Sequence, residues 1–201
     1  MKNKHTFIDL FSGCGGLSLG FEMAGFTGIL AIDNWKDALT TYAYNRKDAR
    51  TLCGDLATLD PYEIKAEYDI HDVDVIIGGP PCQGFSVQRI GADLDERNYL
   101  VEEYISKVIA IRPKMFILEN VPGIEGKRGK NILHSALAKV EDSGYFIHEK
   151  ILDAQDYGVP QRRKRVVIIG ERKDHESPLF EYPKPQEHKI TVRDTIAHLP
   201  E

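Results

Sequence analysis

Cysteine is scarce in this sequence, with three residues in 201: Cys14, Cys53 and Cys82. They lie far apart without metal-ligand spacing, and an odd number does not suit a disulfide scaffold. This usage fits a reducing compartment, so we expect a cytoplasmic protein with no metal site. The sequence also lacks an apolar run of membrane-spanning length, and residues 1–5 lead into an apolar strand without a signal peptide. We therefore expect no membrane partner.

Positive charge is also in short supply. Lysine and arginine number 26 against 31 aspartate and glutamate residues, which gives a formal net charge of −5. Because phosphate binding needs a basic surface, this balance argues mildly against a nucleic-acid partner, although a local basic patch would overcome the average. Hydrophobic residues make up 42% and charged residues 28% of the chain, so an ordinary globular domain is expected.

Apolar runs that predict strands alternate along the chain with segments of helical periodicity. A short strand is predicted before Gly54, and the others cover 6–11, 28–33, 73–77, 115–118, 145–152 and 165–170. Strands that alternate with helices form a mostly parallel sheet with helices on both faces, so the fold class is α/β. The pattern fades after residue 173. We expect one domain over 1–173 and a connecting segment over 174–201.

A glycine turn, Ser12-Gly13-Cys14-Gly15-Gly16, joins the first predicted strand to a helix. Glycines in such a turn let backbone N–H groups approach a ligand at the helix N-terminus, as in nucleotide-binding folds. The turn departs from the dinucleotide-binding fingerprint, because Ser18 stands where the third glycine is required. On the residues alone, a nucleotide cradle and a simple tight connection both stay open.

Two aspartates follow the next two predicted strands. Asp33 closes the second strand about twenty residues beyond the glycine turn, where a carboxylate can bind ribose hydroxyls. Its other possible role is a helix cap, although Asn34 with Asp37 could supply that cap instead. Asp55 follows the third strand, where it either accepts a hydrogen bond from an adenine amino group or makes a turn.

The stretch Gly78-Gly79-Pro80-Pro81-Cys82-Gln83-Gly84-Phe85-Ser86 follows the apolar strand 73–77. Pro80 and Pro81 stiffen the chain before the thiol, and Gly84 lets it turn back. A thiol at the carboxyl end of a sheet strand lies where open α/β folds place their chemistry, which suggests a nucleophile. Since a free cysteine is more often a small buried hydrophobe, the residues alone leave both roles open.

Charged residues also follow two later strands. Glu119 closes an apolar strand, where a carboxylate costs desolvation free energy unless it is paired or used. In the basic run 161–165, the alternate residues Gln161, Arg163 and Arg165 would point to one side of an extended chain. Basic runs are usually solvated surfaces, so this pattern by itself assigns no function.

Four of these stretches together resemble the motifs of the DNA (cytosine-5) methyltransferases. Residues 7–16 are similar to that family's cofactor motif and residues 79–86 to its nucleophile motif. Glu119-Asn120-Val121 and Gln161-x-Arg163-x-Arg165 are similar to its two remaining catalytic motifs. The resemblance implies a Rossmann-like methyltransferase fold and DNA methylation, within a bacterial restriction–modification system.

The same resemblance implies S-adenosyl-L-methionine as the methyl donor. Phe11 would stack near the adenine, Asp33 would hold the ribose, and Asp55 would bond to the adenine amino group. Many family members carry tryptophan directly after the ribose acid, whereas here Asn34 precedes Trp35. The residues that the resemblance assigns to the cofactor are Phe11, Gly13, Gly15, Gly16, Asp33, Asn34, Asp55, Leu56, Pro81 and Leu100.

The resemblance further implies covalent catalysis on a flipped-out cytosine. The Cys82 thiolate would add to carbon 6 and so make carbon 5 nucleophilic enough to take the methyl group. Glu119 would bond to N3 and the exocyclic amine, Arg165 would contact the O2 side, and Arg163 would help to hold the thiol loop and the base. The residues expected to contact the substrate are Pro80, Gln83, Ser86, Asn120 and Gln161.

Members of the family continue past the last matched motif with a target-recognition domain and two further motifs. The resemblance therefore implies a partner chain in a split enzyme, a truncated product or an engineered fragment. A non-catalytic S-adenosylmethionine-binding module of the same fold is a second hypothesis, although it does not explain why Cys82 and Glu119 are intact. A third is a transfer RNA cytosine-5 methyltransferase, but the stretch 84–86 favours DNA.

Overall fold

The computed structural model describes residues 5–81, 99–126 and 129–200, so Cys82, Gln83 and Ser86 lie outside the described residues. The strands are β1 (Thr6–Leu10), β2 (Thr27–Asp33), β3 (Thr51–Cys53), β4 (Val75–Gly78), β5 (Met115–Asn120), β6 (Tyr145–Asp153) and β7 (Lys164–Arg172). The helices are α1 (Gly16–Met23), α2 (Lys36–Asn45), α3 (Pro61–Glu67), α4 (Leu100–Ile111), α5 (Lys130–Asp142) and α6 (Val192–Ile196). Within the described ranges, 3₁₀ turns cover Pro122–Glu125 and Ala154–Tyr157.

The described strands form one sheet in the order β3-β2-β1-β4-β5-β7-β6. Neighbours from β3 to β5 pair in parallel, whereas β7 is antiparallel to both β5 and β6. The predicted α/β class with a mostly parallel sheet is therefore confirmed. Because β7 runs in the opposite direction, its first residues lie beside the last residues of β5, with Asn120 opposite Val166.

Helices cover both faces of the sheet. The larger core contains Ile8, Leu10, Ile76 and Phe116 and packs against α4 and α5. Phe7, Val75 and Ile77 alternate with those residues and face the other side, where Leu17 and Phe21 of α1 pack against them. This division follows from the period of two along a strand, which sends successive side chains to opposite faces.

Tyr104 of α4 is fully buried in the larger core. Its hydroxyl donates to the carbonyl of Ile117 at 2.8 Å and lies 3.2 Å from the carbonyl of Ile76. A buried phenol needs such a partner, because an unpaired hydroxyl loses its hydrogen bonds to water. These bonds fix α4 over β4 and β5, the two strands that lead to the rim described below.

Two local expectations differ from the structure. Strand β5 continues through Glu119 and Asn120, whereas the apolar pattern predicts its end at Leu118, because β7 pairs with both polar residues. Helix α2 begins after Trp35 with no side-chain cap, so Asn34 and Asp37 do not provide the cap considered above.

Residues 179–182 are held against the sheet. The Glu171 carboxylate accepts hydrogen bonds from the N–H groups of Leu179 and Phe180, each at 3.0 Å. The Tyr182 hydroxyl donates to the carbonyl of Val167 at 2.7 Å. Further along, Thr191 forms a reciprocal capping box at the start of α6. Sequence periodicity gives no sign of these contacts, because most of them involve backbone groups.

No helix within the described ranges has the length and apolar character needed to cross a membrane.

Candidate functional site

Most of the predicted site residues lie along one rim of the sheet. The carboxyl ends of the parallel strands β1, β2, β4 and β5 meet there, which brings Phe11, Asp33, Gly79 and Glu119 to the same edge. Strand β7 contributes its beginning instead, because it is antiparallel, and so places Arg165 at that edge as well. Open α/β sheets bind their ligands at such an edge.

A first cavity of about 420 Å³ opens at this rim, a volume within the usual range for small-molecule sites. Seven of the residues predicted to bind the cofactor line it: Phe11, Asp33, Asn34, Asp55, Leu56, Pro81 and Leu100. Three lining residues were not expected from the sequence, namely Gly54, Gly79 and Tyr99. Each of the three is adjacent in the chain to a predicted residue or loop, and that adjacency is the only signal the sequence offers for them.

The Asp33 carboxylate fixes the loops on both sides of the first cavity. One oxygen, Oδ2, accepts a hydrogen bond from the N–H of Gly13 at 2.8 Å, and Oδ1 accepts from the N–H of Trp35 at 2.8 Å. The carboxylate therefore ties the glycine turn to the start of α2. A carboxylate oxygen can accept more than one hydrogen bond, so these two contacts still leave acceptor capacity toward the cavity.

Asp55 combines the two roles that the sequence left open. Its Oδ1 accepts from the N–H of Ala57 at 2.9 Å, and its carbonyl accepts from the N–H groups of Thr58 and Leu59. The residue thus makes a turn, and its side chain also lines the first cavity. The turn orients the carboxylate and does not exclude a contact with a ligand.

The glycine turn adopts backbone conformations that strongly favour glycine at two positions. Gly13 and Gly15 have φ values of 52° and 86°, and Phe11 just before them has φ of 63°. A bulky residue in this left-handed region stores strain, and such strain is concentrated at functional sites. Phe11 lines the first cavity. Gly13 does not line it, but its N–H donates a hydrogen bond to Asp33, which does.

Gly15 faces away from the cavities. A β-carbon at this position would lie 2.5 Å from Nη1 of Arg46 and 2.6 Å from the ring of Tyr42. The site therefore needs glycine here for both its φ and its packing. Direct contact between Gly15 and a cofactor stays a prediction.

A second cavity of about 650 Å³ shares Phe11 and Gly79 with the first. Predicted residues in its lining are Gly16, Glu119 and Arg163. The sequence reasoning did not anticipate Asp9, Ser12, Leu17 and Val159, which complete it. The two cavities thus adjoin, which is the arrangement needed to bring two ligands together.

Glu119 and Arg165 form an ion pair at this junction. Nε of Arg165 lies 2.9 Å from Oε1 of Glu119, and the two side chains are 24% and 32% exposed, respectively. A β-carbon at Gly79 would lie 3.3 Å from Oε2 of Glu119, so the loop after β4 approaches the carboxylate closely. Two residues predicted to be catalytic are therefore in contact, although their motifs are far apart in sequence.

Asn120 holds the loop that leads to Cys82. The Asn120 amide is buried, and its Nδ2 donates to the carbonyl of Pro80 at 3.1 Å. Its Oδ1 accepts from the N–H of Val121 at 2.9 Å. These bonds position the backbone just before the predicted nucleophile, while the expected contact of Asn120 with a substrate stays a prediction.

Arg163 and Gln161 lie in the connection between β6 and β7. The Asp153 carboxylate accepts from the N–H of Arg163 at 3.0 Å, and the Arg163 carbonyl accepts from the N–H of Ala154 at 3.0 Å. These bonds fix the backbone from which the exposed Arg163 side chain reaches the second cavity. Gln161 is exposed, and its N–H donates to the Val159 carbonyl, so its predicted contact with a substrate is untested.

The buried carboxyl group of Asp9 lies at the back of the second cavity. Burial raises its pKa to about 7, and this effect outweighs the opposing hydrogen bond from Ser18. The Ser18 hydroxyl in turn lies 2.9 Å from that of Tyr42. Asp9, Ser18 and Tyr42 thus form a buried polar chain beneath the glycine turn.

Comparison with known proteins gives the family. Residues 5–201 match the family described as C-5 cytosine-specific DNA methylase. The chain belongs to this family. The predicted resemblance and its methyltransferase fold are therefore confirmed.

Curated relatives include Type II methyltransferases from several prokaryotes. M1.HphI of Haemophilus parahaemolyticus is 41% identical over 199 residues, an alignment that covers 97% of this chain and 53% of the relative. M.MthTI of Methanothermobacter thermautotrophicus is 42% identical over 193 residues, an alignment that covers 95% of this chain and 56% of the relative. The chain thus spans about half the length of the curated relatives it matches.

Solved structures agree with this result. A DNA modification methyltransferase encoded within a prophage of E. coli is 35% identical with a TM-score of 0.88, covering 98% of this chain and 56% of the other. The DNMT2 protein of Spodoptera frugiperda is 26% identical with a TM-score of 0.68, covering 94% of this chain and 55% of the other.

The described residues contain no group of three or more histidine, cysteine, aspartate or glutamate side chains suited to hold a metal ion. Cys14 and Cys53 are exposed free thiols.

Proposed function

We propose that this chain is the catalytic part of a DNA (cytosine-5) methyltransferase of restriction–modification type. It would transfer a methyl group from S-adenosyl-L-methionine to carbon 5 of cytosine in duplex DNA. The observation that carries this proposal is the pairing of Glu119 with Arg165 at 2.9 Å, where two cavities share a wall. A non-catalytic binding module has no need for this charged pair beside a second cavity.

The first cavity fits S-adenosyl-L-methionine by its size and lining. Two carboxylates, Asp33 and Asp55, suit the hydroxyl and amino donors of an adenosine group, and Phe11 with Leu100 supplies apolar surface. The cofactor, when bound, supplies an electrophilic methyl group carried on a sulfonium. Gly16 and Leu17 line the second cavity beside Phe11, so the glycine turn borders both spaces.

The second cavity would receive the flipped cytosine. Cytosine carbon 5 is a poor nucleophile until a thiolate adds at carbon 6, which is the role we assign to Cys82. The new bond joins the cysteine sulfur to carbon 6, and it breaks again when carbon 5 loses its proton after methylation. Pro81 lines the first cavity and Cys82 follows it directly in the chain.

Glu119 would neutralise charge that develops on the ring when the thiolate adds. Its carboxyl group would bond to N3 and to the exocyclic amine, while the Arg165 guanidinium fixes its orientation and faces the O2 side. A positioned acid–base group of this kind typically contributes a factor of about 10² to 10⁴ to the rate. Asn120 acts indirectly, because its bond to the Pro80 carbonyl holds the thiol loop.

A complementary polypeptide is part of the proposal. About half of each curated relative lies outside its match to these 201 residues. We infer that this part, whether a continuation of the chain or a separate subunit, carries most of the DNA-contacting surface. The net charge of −5 supports this division, because duplex binding needs many basic contacts to phosphate.

The test is covalent trapping on duplex DNA that contains 5-fluorocytosine. Fluorine does not leave carbon 5 as a proton does, so the adduct between the cysteine sulfur and carbon 6 should persist. The chain would be incubated with S-adenosyl-L-methionine and a pool of duplexes, with and without the complementary polypeptide. We expect an adduct that Cys82→Ser abolishes.

Cys14→Ser and Cys53→Ser are the controls, because both thiols are exposed and so open to non-specific reaction. Both variants should form the adduct at the wild-type level. An adduct that survives Cys82→Ser would refute the assignment. Transfer RNA that contains 5-fluorocytosine is tested in parallel. An adduct that forms on this RNA and not on the duplexes would show that the substrate is RNA and not DNA.

A further inference from the structure

We propose that Arg46 is a positioning residue for the cofactor, although it lines neither the first nor the second cavity. This inference rests on the proposed binding of S-adenosyl-L-methionine to the first cavity. Arg46 follows the last residue of α2 and reaches across to the back of the glycine turn. None of the sequence motifs includes it.

The Arg46 guanidinium group makes three different contacts. Nη2 donates to the carbonyl of Gly15 at 2.8 Å. Nε lies 2.7 Å and 2.9 Å from the two carboxylate oxygens of Glu22 in α1. The guanidinium carbon lies 4.4 Å from the centre of the Tyr42 ring, within the range of a cation–π contact. The side chain is 12% exposed, so these contacts are largely shielded from water.

Tyr42 extends this set of contacts beneath the turn. Its hydroxyl lies 2.9 Å from that of Ser18, and Ser18 donates to the buried Asp9. Arg46 therefore closes one end of a polar chain that links α2, α1 and β1. A shift of α2 against α1 would break the bond between Tyr42 and Ser18, and because both side chains are buried, the freed hydroxyl groups would have no water to replace it.

The glycine turn is thus held from two sides. On the cavity side, Asp33 accepts from the N–H of Gly13. On the far side, Arg46 donates to the carbonyl of Gly15. Both glycines have positive φ, which glycine adopts without strain but also leaves easily, so contacts with neighbouring groups are needed to fix the direction of the backbone. Without Arg46, bonds within the turn and α1 remain, since the Gly15 N–H donates to the Ser12 carbonyl and the Gly15 carbonyl also accepts from the N–H of Leu19. The bond that is lost ties this end of the turn to α2, so the turn can shift relative to the Asp33 side of the first cavity.

A purely structural role for Arg46 predicts a different result. In that case the residue would only stabilise the packing of α2 on α1, and its loss would lower the unfolding temperature without changing the affinity of folded protein for its ligand. The positioning role predicts a loss of affinity beyond the loss of stability. Affinity and stability must therefore be measured on the same variants.

Arg50 is a matched control within the chain. Its guanidinium also donates to backbone carbonyls, those of Ile29 at 3.0 Å and Tyr68 at 2.8 Å. It also lies over a tyrosine ring, 5.5 Å from the centre of Tyr68. It makes no contact with the glycine turn in the described structure. Glu22→Gln is a second control, because it weakens the ion pair but leaves the bond from Arg46 to Gly15.

The experiment measures S-adenosyl-L-methionine binding by titration calorimetry and stability by thermal unfolding, for the wild type and for each variant. We expect Arg46→Met to raise Kd at least about tenfold. Arg50→Met and Glu22→Gln should change Kd less than about twofold. Arg46→Lys keeps the charge but not the planar fork, so its Kd should rise by a smaller factor, and its unfolding temperature should fall less than that of Arg46→Met.

Each outcome decides between these roles. Unchanged affinity in Arg46→Met, with binding by the wild type, would overturn the positioning role alone. If Arg46→Met does not fold, the folded Arg46→Lys variant decides, and a wild-type Kd in it would overturn the proposal. Failure of the wild type to bind at millimolar ligand would remove the proposed cofactor, and with it this inference.

Discussion

The Glu119 carboxylate is held by the Arg165 guanidinium at 2.9 Å, across the antiparallel strands β5 and β7. This contact depends on the direction of β7. A parallel β7 would place its carboxyl end at the rim and Arg165 at the opposite edge of the sheet. The reversal of one strand therefore brings together two motifs that are distant in sequence.

Glu119→Gln should lower turnover by about two or more powers of ten, because the amide cannot supply the proton that N3 needs when the thiolate adds. Stability should change by less than about 1 kcal/mol, since the Glu119–Arg165 pair is partly exposed. Methyl transfer with the complementary polypeptide present measures the first effect, and thermal unfolding the second.

Glu102→Gln is the control for this substitution. Glu102 is paired with Lys139 at 3.1 Å on the surface of α4, away from both cavities. Its loss should leave turnover unchanged. Near-normal turnover in Glu119→Gln, or equal losses in both variants, would contradict a role of Glu119 in activating the ring.

Phe11 allows backbone strain to be separated from ligand contact. Phe11→Gly and Phe11→Ala both remove the aromatic ring from the cavity wall, so both should bind S-adenosyl-L-methionine more weakly, and to a similar extent. Glycine adopts the φ of 63° without strain, whereas alanine adopts it at a cost of about 1–2 kcal/mol. After the larger entropy of the unfolded glycine chain is included, Phe11→Gly should be about 0.5–1 kcal/mol more stable than Phe11→Ala.

Chemical denaturation of the two variants without ligand measures this difference. A Phe11→Ala protein at least as stable as Phe11→Gly would show that the backbone at this position carries no strain. Unaltered cofactor affinity in both variants would remove Phe11 from the binding site.

Asp9 should make stability fall as the pH rises. Burial raises its pKa from the ordinary 3.8 to about 7, so the folded state holds the proton more tightly than the unfolded chain. The stabilisation is therefore fully present below about pH 4 and is lost as the pH rises through about 7, with a slope of at most about 1.4 kcal/mol per pH unit. Asp9→Asn removes this dependence while Ser18 can still donate to the amide oxygen.

We accordingly expect Asp9→Asn to be more stable than the wild type at pH 8, with the difference shrinking toward pH 5. Urea unfolding at each pH without ligand measures this. A constant difference across that range would mean that Asp9 is ionised throughout in the folded protein.

Asp74 provides a contrast of opposite sign. Partial burial would raise its pKa, but hydrogen bonds from Lys114 and from the N–H of Thr6 outweigh burial and lower the pKa to about 2. Its contribution is present above about pH 4 and is lost as the pH falls through about 2. Asp74→Asn should therefore destabilise the protein at pH 7, and this loss should shrink in acid. A loss that is the same at pH 7 and pH 3 would contradict the assignment.

The chain alone should bind S-adenosyl-L-methionine weakly and duplex DNA very weakly, and the complementary polypeptide should restore DNA binding and methylation. Leu19 and Met23, four residues apart on α1, are 53% and 80% exposed, and we expect the complementary polypeptide to cover them. Met23→Glu should therefore reduce the DNA binding and methylation that the complementary polypeptide restores. Tyr62→Glu on α3 is the control, because this side chain is also exposed, at 67%, and its substitution should leave the restored activity unchanged.

Methyl transfer on duplex DNA, with each polypeptide alone and then mixed, is the measurement. Robust sequence-specific methylation by the 201-residue chain by itself would falsify the need for a second half.

The sequence by itself determined the α/β class and the residues at the ends of the strands. Alternating apolar runs predict the strands, because buried strands must be apolar, and the glycine turn and Asp33 follow from their positions after β1 and β2. The sequence also pointed to Glu119 as a functional residue, because a carboxylate at the end of an apolar strand costs desolvation free energy unless it is paired or used. The roles of Cys82, Gln83 and Ser86 stay predictions, because they lie outside the described residues.

Only the tertiary structure decided which of these side chains meet. The direction of β7 pairs Arg165 with Glu119, and no local pattern encodes the direction of a strand. The burial of Asp9 and the reach of Arg46 to Gly15 depend on how α1 and α2 pack on the sheet, which joins residues distant in sequence. Periodicity reports what each segment buries, whereas contacts between segments appear only once the chain has folded.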